Sequence, residues 1–277
     1  MSTLSRRKWL KNSMRVTGAA VPLRGMLGLA RPDAQASKSP KLTIVVAGGH
    51  PDDPESGCGG TMARYADVGN KVISLYLTQG EAGIPGKSHD EAAAIRTREA
   101  ERACEILKAR PVFAGQIDGD TEINASRYGQ FRELLEGLKP DLVLTHWPVD
   151  THPDHRAASL LVYDAWLRLR KSFELYYFEV MTGAQTQEFD PTQYVDITAT
   201  ESRKRAACYA HVSQNPDEFY ADHDMMNRFR GMEAGVKYAE AFVRHGQSAI
   251  ESLPGWRGEA YNPLEVTDHG PSLVGRR

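Results

Sequence analysis

Cysteine is scarce in this chain of 277 residues: there are three, Cys58, Cys104 and Cys208, far apart and with no C-x-x-C pair. That excludes a disulfide framework and a thiolate zinc site, and the odd count leaves at least one thiol unpaired. An excess of one charge is also missing. Lysine and arginine number 34 against 36 aspartates and glutamates, a formal net charge of -2, which argues against a general polyanion binder and gives no sign of a nucleic-acid partner. Long apolar runs are absent too. No stretch reaches the eighteen or so residues that a membrane-spanning helix needs; the nearest, residues 16–30, is interrupted by Arg24. What is present is an ordinary globular balance, 41% apolar and 25% charged, which excludes a disordered chain. At this length one α/β domain with a sizeable core is the default.

Residues 1–36 read as an address. Ser5-Arg6-Arg7-Lys8-Trp9-Leu10-Lys11 has the pattern of a bacterial twin-arginine export signal, and Ala34-Gln35-Ala36 offers a small-residue cleavage site. Residues 37–277 are then a single domain of an exported, periplasmic or extracellular protein. If the signal does not function, the chain stays cytoplasmic.

Short β-branched runs at residues 42–47, 72–77 and 141–146, with a shorter strand at 111–114, alternate with helical spacing at 61–68, 90–108 and 124–138. Further strands are expected at 174–180 and 194–197, and helices at 200–211 and 231–245. The β-α-β-α-β-α-β-α order predicts an α/β fold, a mostly parallel sheet with helices on both faces. Ligands of such sheets sit beyond the carboxyl ends of strands where the winding reverses, which brings the loops after Ala47 and His146 together.

Those two loops carry the chemistry. His50-Pro51-Asp52-Asp53 follows the first strand, and His152-Pro153-Asp154-His155 opens a helix after the strand ending at His146. Either tetrapeptide alone could be a turn or a helix start. Two of them at neighbouring strand ends converge as a metal site, with His50, Asp53 and His155 as ligands. Two nitrogens and one oxygen leave a position of a tetrahedral zinc open, the arrangement of a catalytic site. Another divalent ion such as ferrous iron suits the same donors. Asp52 is the general base, and His152 the acid and oxyanion partner, its ring held and kept protonated by Asp154.

With Gly57-Cys58-Gly59-Gly60-Thr61, Thr78-Gln79-Gly80-Glu81-Ala82-Gly83, and Arg96 with Glu99 on the long helix, these motifs resemble, in order, the PIG-L/LmbE de-N-acetylases over roughly residues 41–170. The resemblance implies a Rossmann-like fold and zinc-dependent hydrolysis of an N-acetyl group on an amino sugar such as N-acetylglucosamine or its conjugate. It implies the same metal and acid-base roles, and places Arg96 and Asp118 on sugar hydroxyls. The chain departs from the pattern at Pro54, where Glu is common, and at Asp150, where some members carry Tyr.

Other signals weigh less. Gly57-Cys58-Gly59-Gly60 lacks the spacing and lysine of a phosphate loop. His211, His223 and His245 read as surface or satisfied core histidines, and Tyr176-Tyr177-Phe178 as strand core. The competing functions are a metallo-esterase or phosphoesterase with the same metal centre, and a non-catalytic carbohydrate- or metal-binding protein. Oligomeric state is left open.

Overall fold

The computed structural model describes residues 41–248; the expected export signal lies outside them. Seven strands form one sheet in the order β3-β2-β1-β4-β5-β7-β6. β1 (Thr43–Gly48) pairs in parallel with β2 (Lys71–Tyr76) on one side and β4 (Leu142–His146) on the other. β3 (Arg110–Phe113) continues in parallel beyond β2, and β5 (Glu174–Phe178) beyond β4. β7 (Ala239–Arg244) runs antiparallel to both β5 and β6 (Gln193–Asp196).

Alternation along β1 assigns the two layers. Ile44 and Val46 face Cys58, Met62 and Tyr65 of α1 (Asp53–Asp67), Ala103 and Leu107 of α2 (His89–Leu107), and Ala207 of α5 (Glu201–Cys208). Val45 and Ala47 face Phe131 and Leu135 of α3 (Ala125–Leu138) and Leu161, Val162 and Trp166 of α4 (Pro153–Arg168). Successive strand side chains point to opposite faces, so a strand covered on both sides must be apolar throughout. Burying each such side chain contributes about 1.5–3 kcal/mol. The chain winds outward from β1 through β2 and β3, then reverses to β4 and β5. The site therefore forms where β1 and β4 end side by side.

Two expectations need correction. The glycine-rich stretch before residue 61 is not a loop but the first half of α1, which starts at Asp53 with Pro54 in its opening turn. Glycine serves close packing there: a Cβ on Gly57 would stand 2.5 Å from the Phe178 ring. Of the helix expected at residues 231–245 only 231–234 are helical, and the rest turns into a strand. A helix the sequence did not announce, α6 (Pro216–Ala234), ends at Gly235 in the left-handed conformation, and β7 follows. No helix among the described residues is long and apolar enough to cross a membrane.

Candidate metal centre

β1 ends at Gly48, and the chain turns through His50 into α1, while α4 starts at Pro153 beyond β4. Asp53 sits between two imidazoles. Its Oδ2 lies 3.2 Å from His50 Nδ1 and accepts the His50 backbone N–H at 2.7 Å; its Oδ1 lies 3.2 Å from His155 Nε2. The ring centres of His50 and His155 are 5.4 Å apart, and His152 stands 4.6 Å from the first and 4.8 Å from the second. Donor atoms of His50, His152 and His155 all fall within 4.8 Å of one another, as do those of Asp53, His146 and His155, and those of His50, Asp118 and Asp154.

The outer nitrogens are gripped as well. His50 Nε2 lies 3.1 Å from both Asp118 Oδ1 and Asp154 Oδ2. His155 Nδ1 lies 3.2 Å from Asp150 Oδ1, close but outside hydrogen-bond alignment. Metal-bound histidines are held this way, one nitrogen inward and the other on a carboxylate. Charge points in the same direction. Burial lowers the basicity of His50 and His155, but Asp118, Asp154 and Asp53 outweigh it at His50, and Asp53 and Asp150 lift His155 to about 9. Burial would raise the Asp53 carboxyl, yet His155 and His146 hold it well below the usual carboxylate range. The His/Asp cluster gathered at the ends of β1 and β4 has the nitrogen and oxygen donors to hold a metal ion.

Two side chains do other than expected. Asp154 was expected on the ring of His152, but its carboxylate turns away: it accepts from Gly119 N–H at 2.8 Å and Thr121 Oγ1 at 2.7 Å, and faces His50. Among the described residues His152 receives at its ring the backbone N–H of Asp154, at Nδ1 and 3.3 Å. Burial, with His50 and His155, lowers the His152 pKa, and Asp53 and Asp154 oppose this only in part. Arg96, expected on sugar hydroxyls, is buried and donates to Asp52 Oδ2 at 2.9 Å and to the carbonyls of Pro51 and Gly80. Gly80 is required there, since it has φ 67° and a Cβ would strike the guanidinium at 2.3 Å. Asp118, which also accepts from Ala82 N–H at 3.1 Å, lines the cavity with Arg96.

Asp52 belongs to none of the histidine groups. Burial raises its carboxyl pKa, and Arg96 opposes the rise only in part. It opens with His50, Asp53, His152 and His155 onto a cavity of about 430 Å³. Met181, Gln185, Gln214, Phe219 and His223 wall the other side. Sequence reasoning missed several of these parts. Asp150, passed over as a departure, accepts the His152 N–H at 2.8 Å and Thr186 Oγ1 at 3.0 Å. His146 accepts the Gly49 N–H at 3.0 Å and stacks on His155 at 3.8 Å; its position at the end of a β-branched run was the available signal. His223, read as an ordinary core or surface histidine, is 2% exposed, and its Nδ1 finds no hydrogen-bond partner among the described residues.

A doubly wound α/β sheet with a buried His/Asp cluster at its switch point, able to hold a metal ion, defines the class of this protein. The model of the PIG-L family, described as GlcNAc-PI de-N-acetylase, matches residues 45–166. The diacetylchitobiose deacetylase of Thermococcus kodakarensis is 29% identical over 211 residues, 69% of this chain and 78% of that protein. A 1D-myo-inositol 2-acetamido-2-deoxy-alpha-D-glucopyranoside deacetylase of Kineococcus radiotolerans is 43% identical over 151 residues, 40% of this chain but only 41% of that protein. Among solved structures, the conserved protein TT1542 of Thermus thermophilus superposes with a TM-score of 0.66 at 32% identity, over 78% of this chain and 100% of that one. This chain belongs to the PIG-L family.

Proposed function

We propose that this chain hydrolyses the N-acetyl amide of an amino sugar or its conjugate, releasing acetate and a free amine. The observation that carries the reading is Asp52: a carboxylate uncommitted to any histidine, raised in pKa, opening onto the same cavity as His50, Asp53 and His155. Relatives named as deacetylases of diacetylchitobiose and of an acetamido-glucopyranoside support the substrate class.

His50, Asp53 and His155 hold the metal, zinc in this reading with ferrous iron the other suitable ion. When bound, it supplies a Lewis acid that polarises the amide carbonyl and makes water acidic enough to attack near neutral pH. Asp52 takes the proton of the attacking water. His152, whose Nδ1 is occupied by the Asp154 N–H, keeps Nε2 for the carbonyl oxygen and, once it carries a proton, for the departing nitrogen. Asp154 and Asp150 orient His50 and His155, and Arg96 and Asp118 line the sugar side. Export by the twin-arginine-like segment belongs to the same reading and rests on residues 5–11 with the small-residue cleavage site at 34–36.

The test is amine release from a panel of N-acetylated sugars. Activity should vanish on chelation and return with zinc, and Asp52→Asn should keep its metal while turnover falls about 10²–10⁴-fold. Phosphate or alcohol release from ester substrates, without amine release, would replace this reading with an esterase. Full activity of Asp52→Asn would remove the base.

A further inference from the structure

Asp52 stands at φ 115° and ψ -30°, a conformation that a residue bearing a Cβ rarely adopts and keeps only when its surroundings over-determine it. The determinant is Glu55. Its Oε2 accepts the Asp52 N–H at 3.1 Å. Its Oε1 accepts the hydroxyls of Tyr76 at 2.7 Å and Ser74 at 3.2 Å, both on β2, and His211 Nε2 lies 3.5 Å from Oε2. Glu55 is wholly buried, and it neither lines the cavity nor joins a histidine group. As the third residue of α1, Glu55 closes a capping box with the Asp52 N–H, and the hydroxyls of Tyr76 and Ser74 hold it there beyond what a surface capping box requires. Glu55 fixes Asp52 at its backbone, and Arg96 fixes it at the tip of its side chain, 2.9 Å away.

We propose that Glu55 is a positioning residue: anchored on Tyr76 and Ser74, it holds the Asp52 backbone in its strained conformation and so aims the Asp52 carboxylate into the cavity. The inference rests on Asp52 being the base. What the geometry demands of Glu55 is an acceptor at Oε2, with a floor of hydroxyl partners beneath it. Glutamine keeps that acceptor, because the Tyr76 and Ser74 hydroxyls can reverse to accept from its amide. Methionine has the same length and no comparable acceptor.

The experiment measures amine release from diacetylchitobiose and other N-acetylated amino sugars, with metal content, for the wild type, Glu55→Gln, Glu55→Met and Asp52→Asn. Glu55→Gln should hold kcat within about 3-fold, whereas Glu55→Met should lose about 100-fold in kcat at unchanged KM and metal content, the scale of a misplaced catalytic group. An active Asp52→Asn, or a wild type that releases no amine, fails the functional reading itself. An inactive Asp52→Asn beside a fully active Glu55→Met, or a Glu55→Gln as damaged as Glu55→Met, overturns only the role of Glu55. If Glu55→Met does not fold, amide hydrogen exchange decides: a protected Asp52 N–H in the wild type and in Glu55→Gln supports the tether, and exchange at the unprotected rate overturns it.

Discussion

Residues 41–168 and residues 174–248 build opposite sides of one cavity by different means. The first region supplies His50, Asp52, Asp53, Asp118, His152 and His155 from loops and helix starts at the carboxyl ends of parallel strands, and Arg96 from within α2, braced by buried carboxylates. The second supplies a wall of Met181, Gln185, Gln214, Phe219 and His223, carried by the β5–β6 connection, the turn between α5 and α6, and α6 itself. The family match, residues 45–166, coincides with the first region. In the proposed function the metal chemistry falls to the first region, at the ends of parallel strands, and the second supplies the rest of the cavity lining.

If that division is right, the largest effect belongs to the ligands. Asp53→Ala or His155→Ala should lose the metal together with all measurable amine release while the melting temperature stays near that of metal-free wild type; retention of metal by either variant would break the division. The wall can be damaged in the opposite way. Lys204 and Glu240 form a buried pair at 2.7 Å, and Lys204 also donates to Asn227 Oδ1 at 3.0 Å, tying α5, α6 and β7 together. Lys204→Met leaves the buried Glu240 charge without a counter-charge, its backbone N–H partners apart, and should cost about 3–5 kcal/mol of stability. Denaturant melts measure it, and the folded fraction should still carry metal.

Smaller effects sharpen the comparison from within each region. Asp154→Asn and Asp150→Asn weaken the grip on the outer nitrogens of His50 and His155, and metal affinity should fall about 10–100-fold in each, read by competition with a chelator. His223 probes the wall. Burial, with a lesser contribution from Lys204, pushes its pKa down to about 3. A histidine less basic when folded contributes stability that is whole above about pH 6.5 and is lost as the pH falls toward 3. At pH 5 its share of the loss is about 2 kcal/mol. Melts of the wild type and His223→Gln at pH 7 and pH 5 should show the variant losing less; equal losses would contradict this account of His223.

The first region was the more legible in the sequence, for a physical reason. A strand buried on both faces has to be apolar and β-branched throughout, so β1 and β4 announce themselves, and the residues just past them are the site. The second region hides its periodicity. The buried face of α6 is Tyr220, His223, Asn227, Arg230, Gly231 and Ala234, helically spaced but polar at its centre, so a search for apolar spacing passes over it. β7 hides likewise, since Glu240 is buried there to accept the N–H groups of Gly60 and Thr61, and an Ala/Glu-rich segment imitates a helix. The partner of Asp154 was illegible for another reason. Sequence spacing favours its neighbour His152, whereas the fold brings His50 to it from a different loop.

Anomalous X-ray diffraction at the zinc edge, on crystals of the wild type grown with zinc, tests the shared cation most directly. One peak is expected, bonded at about 2.0–2.2 Å to His50, Asp53 and His155 together. A peak held instead by Asp118 and Asp154, with Asp53 still bridging the two imidazoles through hydrogen bonds, would contradict it.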